Sequence, residues 1–415
     1  MPRPVAYLFA LAAGAAFLAA LPASADVERL KRQADRGSVA ERTKALKDLV
    51  LEDSQAAIDR AVSWLEPGQE PALRRAGARA LWDFSVAAKP AEPALRRYLD
   101  DTDPDVAYNV VGALAALKVP KEELRPARLR LARSNDPFIA FYASRALYPD
   151  PQVPLAQVID AANGALGLVA AGRPSDSRTR DSLRGNARDL LFAVAKDNGK
   201  AGFDALLAAY GSAPPPVKES LADALARVPP EAGDPQRLSV LLDSPSVSIR
   251  RTGMHAVSRY GERALPMLDP MLAGLAIQNE PDLRKSSASA LGDVGQAPSE
   301  ASEQARPGAW RDTVEKRIAP PLARAATTDP VRDVRKEAAE SLQKLRLWSG
   351  PALGAIGEAI AREPDPGVRH ALVRACWSAR RSNAIPRGVL AQLAESDPDQ
   401  YVRNEAKSVL ASSDR

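Results

Sequence analysis

Cysteine, histidine and aromatic residues are scarce in this sequence. Its 415 residues include one cysteine and two histidines, and Phe, Trp and Tyr together make up 5% of the chain. One cysteine excludes an intramolecular disulfide and a cysteine-based zinc site, and two histidines exclude a histidine-rich metal centre. The low aromatic content also argues against an aromatic-lined cofactor pocket as a main feature. The composition therefore predicts neither a cofactor nor a metal site.

A large excess of charge of one sign is also missing. The chain has 57 Lys and Arg against 52 Asp and Glu, which gives a formal net charge of +5. A net charge this small and this evenly mixed is too weak for strong phosphate-driven binding, so we expect no nucleic-acid partner. The remaining composition, with 45% hydrophobic and 26% charged residues, is typical of a folded protein and not of a disordered one.

Long apolar runs are absent except at the N-terminus. A short basic start precedes an apolar run of 16 residues, 6–21, and an Ala-x-Ala sequence ends at Ala25. The run is shorter than the roughly 20 residues of a membrane-spanning helix and ends in small residues, which favours a cleaved signal peptide over an uncleaved membrane anchor. We predict a signal peptide over residues 1–25, with cleavage after Ala25. The mature chain, 26–415, is then periplasmic or secreted and has no membrane span.

The chain after the leader repeats one pattern eleven times. Each copy has a central residue, usually Arg or Lys, that follows an apolar residue in ten copies and precedes another by seven positions in all eleven. We call this central residue the anchor residue. Successive anchors are mostly 31 to 35 residues apart, with two longer intervals of 44 and 51. The anchor residues are Arg42, Arg74, Ala107, Ala140, Arg184, Lys218, Arg250, Arg284, Arg335, Arg369 and Arg403.

The spacing within each copy is helical. Positions −1, +3, +4 and +7 relative to the anchor lie on one stripe of a helix with 3.6 residues per turn. Asp-Pro before several anchors is typical of a helix start, because Asp caps the helix and Pro is tolerated in its first turn. A second helical stretch lies between copies, and one pair of helices cannot bury its stripe alone, so neighbouring pairs must stack. The sequence predicts an all-α, right-handed superhelical solenoid of about eleven helix pairs over residues 26–415.

Several copies combine Asp-Pro, an aliphatic-Arg pair, and Ala and Leu at helical spacing, as in DPVRDVRKEAAESLQKL from Asp329 and DPDQYVRNEAKSVLASS from Asp397. At these residues the chain resembles the HEAT-repeat (armadillo-like) family, and together with the predicted signal peptide it resembles an exported bacterial member of that family. The resemblance covers nearly all of the chain after the leader, and its recurrence makes it specific for the fold. The chain departs from the family pattern at Ala107 and Ala140, which stand where Arg is usual.

The resemblance implies a binding surface, because solenoids of this family mostly act as scaffolds. We therefore expect a non-enzymatic protein–protein interaction scaffold that is exported from the cytoplasm and binds a partner protein along its concave surface. One alternative is binding of an anionic polymer or an envelope surface through basic residues. A second alternative is a lyase-type enzyme, since HEAT-like lyases that act on bilin chromophores exist. The oligomeric state is not predicted.

Nine of the eleven anchor residues are Arg or Lys, which allows two interpretations. A basic ladder could bind a polyanion. Alternatively, each Arg bonds a turn Asp, such as Asp103, Asp365 or Asp397, or the carbonyl groups at a helix end, and so connects neighbouring units. The resemblance implies the structural role, which we favour.

Positions +1 and +5 after the anchor point away from the predicted core and are the expected binding positions. Tyr108 and Phe141 occupy the same position in adjacent copies, with Arg side chains on either side. Two neighbouring exposed aromatic rings flanked by Arg would form a binding hot spot, unless the rings pack between units. The predicted partner-binding residues are Arg75, Arg79, Tyr108, Phe141 and Arg145.

No catalytic residue is predicted. His255 and His370 are too far apart in a linear stack to meet, and Cys376 takes a position that holds Leu or Val in other copies, so it is expected in the core. Two inserted loops account for the long intervals, one near residues 171–180 and one near 296–308. Both are expected to be mobile. The first could dock a partner, and the second is better explained as a tolerated surface insertion.

Overall fold

The computed structural model describes residues 23–296, 308–345, 351–378 and 386–413. The predicted signal peptide lies outside these ranges except for its last three residues, and the predicted loop at 296–308 lies outside them over residues 297–307. Within the described ranges every regular element is a helix. The chain divides between Val153 and Pro154 into two compact units.

The helices follow one another in pairs within each unit. In the first unit the α-helices are α1 (Ala23–Asp35), α2 (Val39–Glu52), α3 (Ser54–Trp64), α4 (Pro71–Asp83), α5 (Glu92–Arg97), α6 (Pro104–Ala116), α7 (Lys121–Leu131) and α8 (Pro137–Leu147). In the second unit they are α9 (Leu155–Ala170), α10 (Ser177–Asp197), α11 (Gly199–Ser212), α12 (Pro215–Leu225), α13 (Ser239–Leu242), α14 (Val247–Ser258), α15 (Leu268–Ala276), α16 (Pro281–Val294), α17 (Gly308–Thr313), α18 (Ala319–Thr328), α19 (Arg332–Leu345), α20 (Pro351–Arg362), α21 (Pro366–Ser378), α22 (Arg387–Ser396) and α23 (Gln400–Ser413). Short 3-10 helices span Ser85–Ala91, Gln236–Leu238 and Gly261–Met267, and Val314–Ile318 forms a π-helical turn.

Every anchor residue lies in the second helix of a pair. These second helices pack side by side, α2, α4, α6 and α8 in the first unit, and α10, α12, α14, α16, α19, α21 and α23 in the second. Asp-Pro starts them as predicted: the Asp103 carboxylate accepts the backbone N–H of Asp105 at 2.9 Å and of Val106 at 3.3 Å. The intervening Pro104 has no N–H to satisfy, so one carboxylate is enough to cap the helix. The predicted all-α fold of stacked helix pairs is confirmed.

The predicted apolar stripe forms the core of both units. Leu114, Leu225 and Leu342, each seven residues after an anchor, are 0%, 1% and 0% exposed. Full burial of such a leucine stabilises a fold by about 1.5–3 kcal/mol, so the repeated positions supply much of the cohesion. The residue before the anchor is buried in every copy in which it is apolar, namely at Leu73, Val106, Ile139, Leu183, Val217, Ile249, Leu283, Val334, Val368 and Val402.

Glu41 breaks the stripe because it caps α2. Its carboxylate accepts hydrogen bonds from the Ser38 backbone N–H and from the Ser38 hydroxyl, both at 2.8 Å. The Ser38 hydroxyl in turn accepts the Glu41 backbone N–H at 3.4 Å, which completes a capping box. The backbone and side-chain hydrogen bonds from Ser38 lower the pKa of Glu41. The exception thus belongs to the first pair, where an atypical sequence is expected.

Anchor arginines connect neighbouring pairs. The Arg369 guanidinium donates to the Asp397 carboxylate of the next pair, with Nε–Oδ2 at 2.9 Å and Nη2–Oδ1 at 3.0 Å. Its Nη1 donates to the carbonyl oxygens of Glu363 and Pro364 at 3.1 and 2.9 Å. Hydrogen bonds to a backbone carbonyl before the anchor helix recur at Arg42, Arg74, Arg250, Arg284, Arg335, Arg369 and Arg403. These carbonyl groups belong to the turn of the anchor's own pair. The structural interpretation, in which an anchor connects neighbouring pairs, is confirmed for the four anchors that also bind a carboxylate of the next pair, namely Arg74, Arg284, Arg335 and Arg369.

Arg184 and Lys218 do not follow this arrangement. Arg184 Nη1 lies 3.0 Å from Asp181 Oδ1 on its own helix. Lys218 Nζ lies 5.1 Å from the centroid of the Tyr210 ring. These two copies also lack Asp-Pro before the anchor.

The carboxylate that binds an anchor stands six residues before the next anchor. Glu363 illustrates the register: it lies six residues before Arg369, and its two oxygens accept from the previous anchor, Arg335, at 2.8 and 2.9 Å. Asp365 and Asp103, four residues before an anchor, cap helices instead. The expectation that these two aspartates bind anchors was therefore wrong. Besides capping a helix, each binds an arginine of the preceding pair that is not an anchor, Asp103 binding Arg75 at 2.8 Å and Asp365 binding Arg332 at 3.0 Å.

The first inserted loop is shorter than predicted. Only residues 171–176 connect α9 to α10, because Asp176 accepts the Thr179 backbone N–H at 2.7 Å and starts the helix there. Residues 177–180 form the first turn of α10 and not loop. Arg180 Nη1 folds back onto backbone carbonyl oxygens of the loop, at 2.7 to 3.3 Å. The Arg180 side chain is thus engaged within the loop itself.

Candidate functional site

The predicted binding residues lie on the second helices of three adjacent pairs in the first unit. Arg75 and Arg79 lie on α4, Tyr108 on α6, and Phe141 and Arg145 on α8. Helix α6 contacts both α4 and α8. The structure therefore brings the three predicted helices together.

Phe141 is not a binding residue, and this part of the prediction was wrong. Its side chain is 0% exposed, as expected for a core residue. The preceding residues Ile139 and Ala140 are also buried, at 1% and 9%. Helix α8 thus buries three consecutive residues, of which Phe141 is the third. The alternative interpretation, that the ring packs inside the stack, is correct for Phe141.

A row of half-buried aromatic side chains occupies the surface where Phe141 was expected. We call Trp82, Tyr108, Phe138 and Tyr142 the aromatic row. The Tyr108 ring lies 5.5 Å from Trp82, 6.1 Å from Phe138 and 6.3 Å from Tyr142, measured between ring centroids, and Phe138 lies 4.7 Å from Tyr142. Tilted and edge-to-face contacts at these distances are favourable, by about 0.5–1.5 kcal/mol per pair beyond area burial. The row therefore forms one continuous surface across three helix pairs.

Gly112 makes room for the first ring of the row. A Cβ atom built on Gly112 would stand only 2.6–2.8 Å from carbon atoms of the Trp82 indole. Normal carbon–carbon contacts are about 3.5–4.0 Å, so only glycine lets the indole lie flat against α6. Glycine within a helix costs roughly 1 kcal/mol relative to alanine. Gly112 therefore lowers the helix stability of α6 but leaves the space that Trp82 occupies.

Charged side chains border the aromatic row. Arg79 lies over Trp82, with its guanidinium carbon 4.9 Å from the ring centroid. Arg75 Nε binds the capping carboxylate of Asp103 at 2.8 Å, which is the main reason that the pKa of Arg75 is raised. Arg145 is exposed on α8. Of the three predicted arginines, Arg79 thus contacts the row, Arg75 is committed in part to a cap, and Arg145 is exposed on the helix that carries Phe138 and Tyr142.

Tyr108 stays protonated and can donate a hydrogen bond to a partner. Burial is the main cause that raises its pKa, the neighbouring Tyr142 adds to this, and Arg79 opposes it. A tyrosine with a raised pKa keeps its hydroxyl at every physiological pH. The row thus combines apolar ring faces with a neutral polar group, the composition that is typical of protein-binding hot spots.

The histidines and the cysteine form no reactive group in the described residues. Cys376 is 0% exposed, and burial raises its pKa to about 12, which confirms the core prediction. His370 Nε2 lies 3.7 Å from Glu405 Oε2, whereas His255 is exposed on α14. The described residues contain no group of three or more His, Cys, Asp or Glu that could hold a metal ion. Across the same ranges, no helix has both the length and the apolar character needed to cross a membrane.

Sequence reasoning missed Trp82, Phe138 and Tyr142. These residues lie outside the +1 and +5 positions, on which the prediction depended. A usable signal was present, because Phe138 and Tyr142 are four residues apart and so share one face of α8. Gly112 was a second signal, since glycine inside a predicted helix indicates that another group approaches closely.

Comparisons with known proteins bear on the fold. No protein-family model and no curated protein sequence matches the chain. Solved structures do match. The karyopherin Kap121p matches at 14% identity with a TM-score of 0.51, and the match covers 94% of this chain and 45% of that chain. Kap121p bound to RanGTP matches at 14% identity with a TM-score of 0.51, and this match covers 94% of this chain and 44% of that chain. A structure of β-catenin described with cadherin matches at 13% and 0.44, over 93% and 91%.

This chain has a HEAT/armadillo-like α-solenoid fold. It spans less than half the length of the Kap121p structures that it matches. At such low sequence identity the similarity concerns the fold alone, and function has to be argued from the site.

Proposed function

We propose that this protein is a non-enzymatic scaffold that binds a partner protein on the aromatic row. The observation that carries the proposal is the row itself, which places half-buried aromatic rings from three adjacent helix pairs on one surface, with Arg79 over its first ring. Aromatic and Arg side chains are the residues that contribute most to binding free energy at protein interfaces. A solved structure of the same fold shows Kap121p bound to RanGTP, so the fold can accommodate a protein partner.

The row is held in place before a partner binds. Trp82 is fixed between Arg79 and Gly112, and each further ring contacts at least one other ring of the row. Binding then immobilises few additional side chains, each of which would otherwise cost about 0.5–1.5 kcal/mol. A rigid aromatic platform supports specific binding better than scattered exposed side chains.

Export from the cytoplasm is part of the proposal. Cleavage after Ala25 would leave Asp26 in the first turn of α1, where its carboxylate lies 3.2 Å from Arg29 Nε. An acidic residue near a helix N-terminus is favourable, so the remaining helix would start well. N-terminal sequencing of the protein recovered from its native cells tests this directly, because a mature start other than Asp26 contradicts it.

Photo-crosslinking from the row tests the proposed function. A photoreactive phenylalanine analogue replaces Tyr142 in the full chain expressed in its native cells. The same analogue at Tyr401, an exposed tyrosine in the second unit, is the matched control. We expect a discrete protein adduct from position 142 that position 401 does not give. Equal labelling from both positions, or none from position 142, would count against the row as a partner site.

A substitution at Gly112 tests the geometry of the row. Gly112→Ala must displace the Trp82 ring by about 1 Å to restore normal contacts, and we expect it to weaken capture of the crosslinked partner. Gly185→Ala is the matched control, because its added methyl group meets nothing within 4 Å. If Gly112→Ala binds as well as Gly185→Ala, the position of Trp82 does not matter for binding.

A further inference from the structure

A basic groove crosses three second helices of the second unit. It encloses about 890 Å³, and side chains from α10, α12 and α14 line it. On α10 the lining residues Arg188, Phe192 and Lys196 are spaced four apart, and on α14 Arg251 and His255 are spaced in the same way. Residues four apart share one face of a helix, about 6 Å from each other along the axis. The groove is thus built from side chains on the same faces of parallel, neighbouring helices.

Positive charge dominates the lining of this groove. Five of its lining residues are Arg or Lys, and Asp223 is the one acidic side chain among them; the basic ones are Arg188, Lys196, Arg227, Arg251 and Arg259. The whole chain, by contrast, has nearly balanced charge. The groove is therefore a local concentration of positive charge that the overall composition does not reveal.

Two of the five basic side chains, Arg188 and Arg259, already bind other groups of the protein. Arg188 Nη2 binds Asp223 Oδ2 at 2.7 Å. Arg259 donates from Nη1 to the carbonyl oxygens of Ala226 and Val228, the latter at 3.2 Å, and so supports the end of α12. These two arginines are thus held in place by contacts within the protein.

The remaining cations are available to a ligand. Arg227 lies over the Phe192 ring, with its guanidinium carbon 4.0 Å from the ring centroid, which holds the group in place but leaves its N–H donors free to bind. In the part of the chain that the structure describes, no carboxylate lies within ion-pair distance of Lys196 or Arg227. Arg251 pairs with Asp282 at 3.3 Å, and both side chains are about half or more exposed.

We propose that the basic groove binds an extended acidic segment of a partner protein. Neighbouring helix axes lie about 8–10 Å apart, so the path from α10 to α14 is roughly 20 Å. An extended peptide covers that distance with about six residues, and its carboxylates can reach Lys196, Arg227 and Arg251 in turn. A nucleic acid is less suitable, because Phe192 is the one aromatic side chain among the lining residues and Arg227 already covers it. The site is separate from the aromatic row and does not depend on it.

Binding of a synthetic acidic peptide tests the proposal. The probe is a fluorescein-labelled peptide of eight glutamates, titrated with the full-length mature chain and followed by fluorescence anisotropy. The charge-reversing pair Lys196→Glu and Arg227→Glu should weaken binding by about tenfold or more. The control pair Arg324→Glu and Lys407→Glu changes two exposed cations elsewhere in the second unit by the same charge, and should weaken it by less than about twofold.

Each other outcome would overturn the proposal. Equal weakening by both pairs would mean that the peptide senses only the net charge of the chain. Binding of a sulfated oligosaccharide in the groove, without binding of the peptide, would identify the site as one for a polyanion. Hydrogen exchange with the peptide bound should show protection in α10 and α14, and protection elsewhere alone would place the ligand outside the groove. The neutral pair Lys196→Gln and Arg227→Gln, which should also weaken binding, guards against loss through misfolding.

Discussion

Replacing Gln278 by glutamate tests whether an anchor arginine binds a carboxylate placed six residues before the next anchor, as Arg74, Arg284, Arg335 and Arg369 do. Arg250 Nη1 donates to the carbonyl oxygens of Ser244 and Pro245 at 2.7 and 3.1 Å, as other anchors do in their own turns. Its Nε atom, however, is buried without a hydrogen-bond partner among the described residues. The position that should supply the acceptor, six residues before Arg284, holds Gln278.

The expected gain can be worked out from the other copies. In Gln278→Glu a carboxylate would face the Arg250 Nε, in the register in which Glu363 faces Arg335. A hydrogen bond that involves a charged group contributes about 1.5–3 kcal/mol. Ordering the Glu side chain costs up to about 1.5–2 kcal/mol. The free energy of unfolding should therefore rise by up to about 1.5 kcal/mol.

Hydrogen exchange followed by mass spectrometry measures the effect where it arises. In the Gln278→Glu variant the opening free energy of α14 and α16 should rise, while the first unit stays unchanged. Gln392→Glu, a substitution of an exposed glutamine on α22, introduces the same charge without an anchor to meet it. If the two variants behave alike, or if Gln278→Glu loosens α14, then the register of the anchor contacts has been misread.

Three further predictions concern the last helix pairs. Arg369→Ala should lower the free energy of unfolding by about 3–5 kcal/mol, because it leaves the buried Asp397 carboxylate unpaired, and hydrogen exchange should place the loss in α21 and α23. Uniform loosening of the whole chain would contradict a stack of separate pairs. The pKa of Asp397 is lowered in the folded protein: burial acts to raise it, but hydrogen bonds from Arg369 and from the Asp399 backbone N–H, together with nearby positive charge, outweigh burial. The contribution of Asp397 to stability is thus present above its unfolded pKa of about 3.9 and is lost as the pH falls through the lower folded value. The Asp397→Asn variant should be less stable than the wild type. Below about pH 4, its free energy of unfolding in denaturant should also depend less on pH than that of the wild type. The Cys376 thiol, whose pKa burial raises to about 12, should resist an aromatic disulfide reagent at pH 8 until the chain is unfolded in denaturant, and rapid reaction in the folded protein would refute its burial.

The helix pairs could be predicted because their cause is local. The apolar residue before the anchor, present in ten copies, and the apolar residue seven after it share one helix face, and that spacing does not depend on what packs against it. Asp103 and Pro104 likewise start α6 through contacts within one turn. Such signals can be read along the chain without knowledge of the neighbouring pair.

The contacts between pairs could be predicted only in part. The sequence indicated that anchor arginines bind turn aspartates, but the offset between two stacked pairs decides which one, and that offset is a property of packing. The burial of Phe141 depends on how α8 packs against its neighbours, since Tyr108 at the same position of α6 is only half-buried. Trp82 reaches α6 because Gly112, on a different helix, leaves space for it. Each of these outcomes required the position of a second element.

The fixed place of the anchor contact also makes the helix pairs interchangeable. Arg335 meets Glu363 in the same relative position in which Arg369 meets Asp397, so excising the 34 residues from one anchor to the next would set Arg335 opposite Asp397 with the same chemistry at the new joint. Duplicating that segment would lengthen the protein by one pair in the same way. The number of pairs is thus a quantity that gene rearrangement can change without designing a new interface.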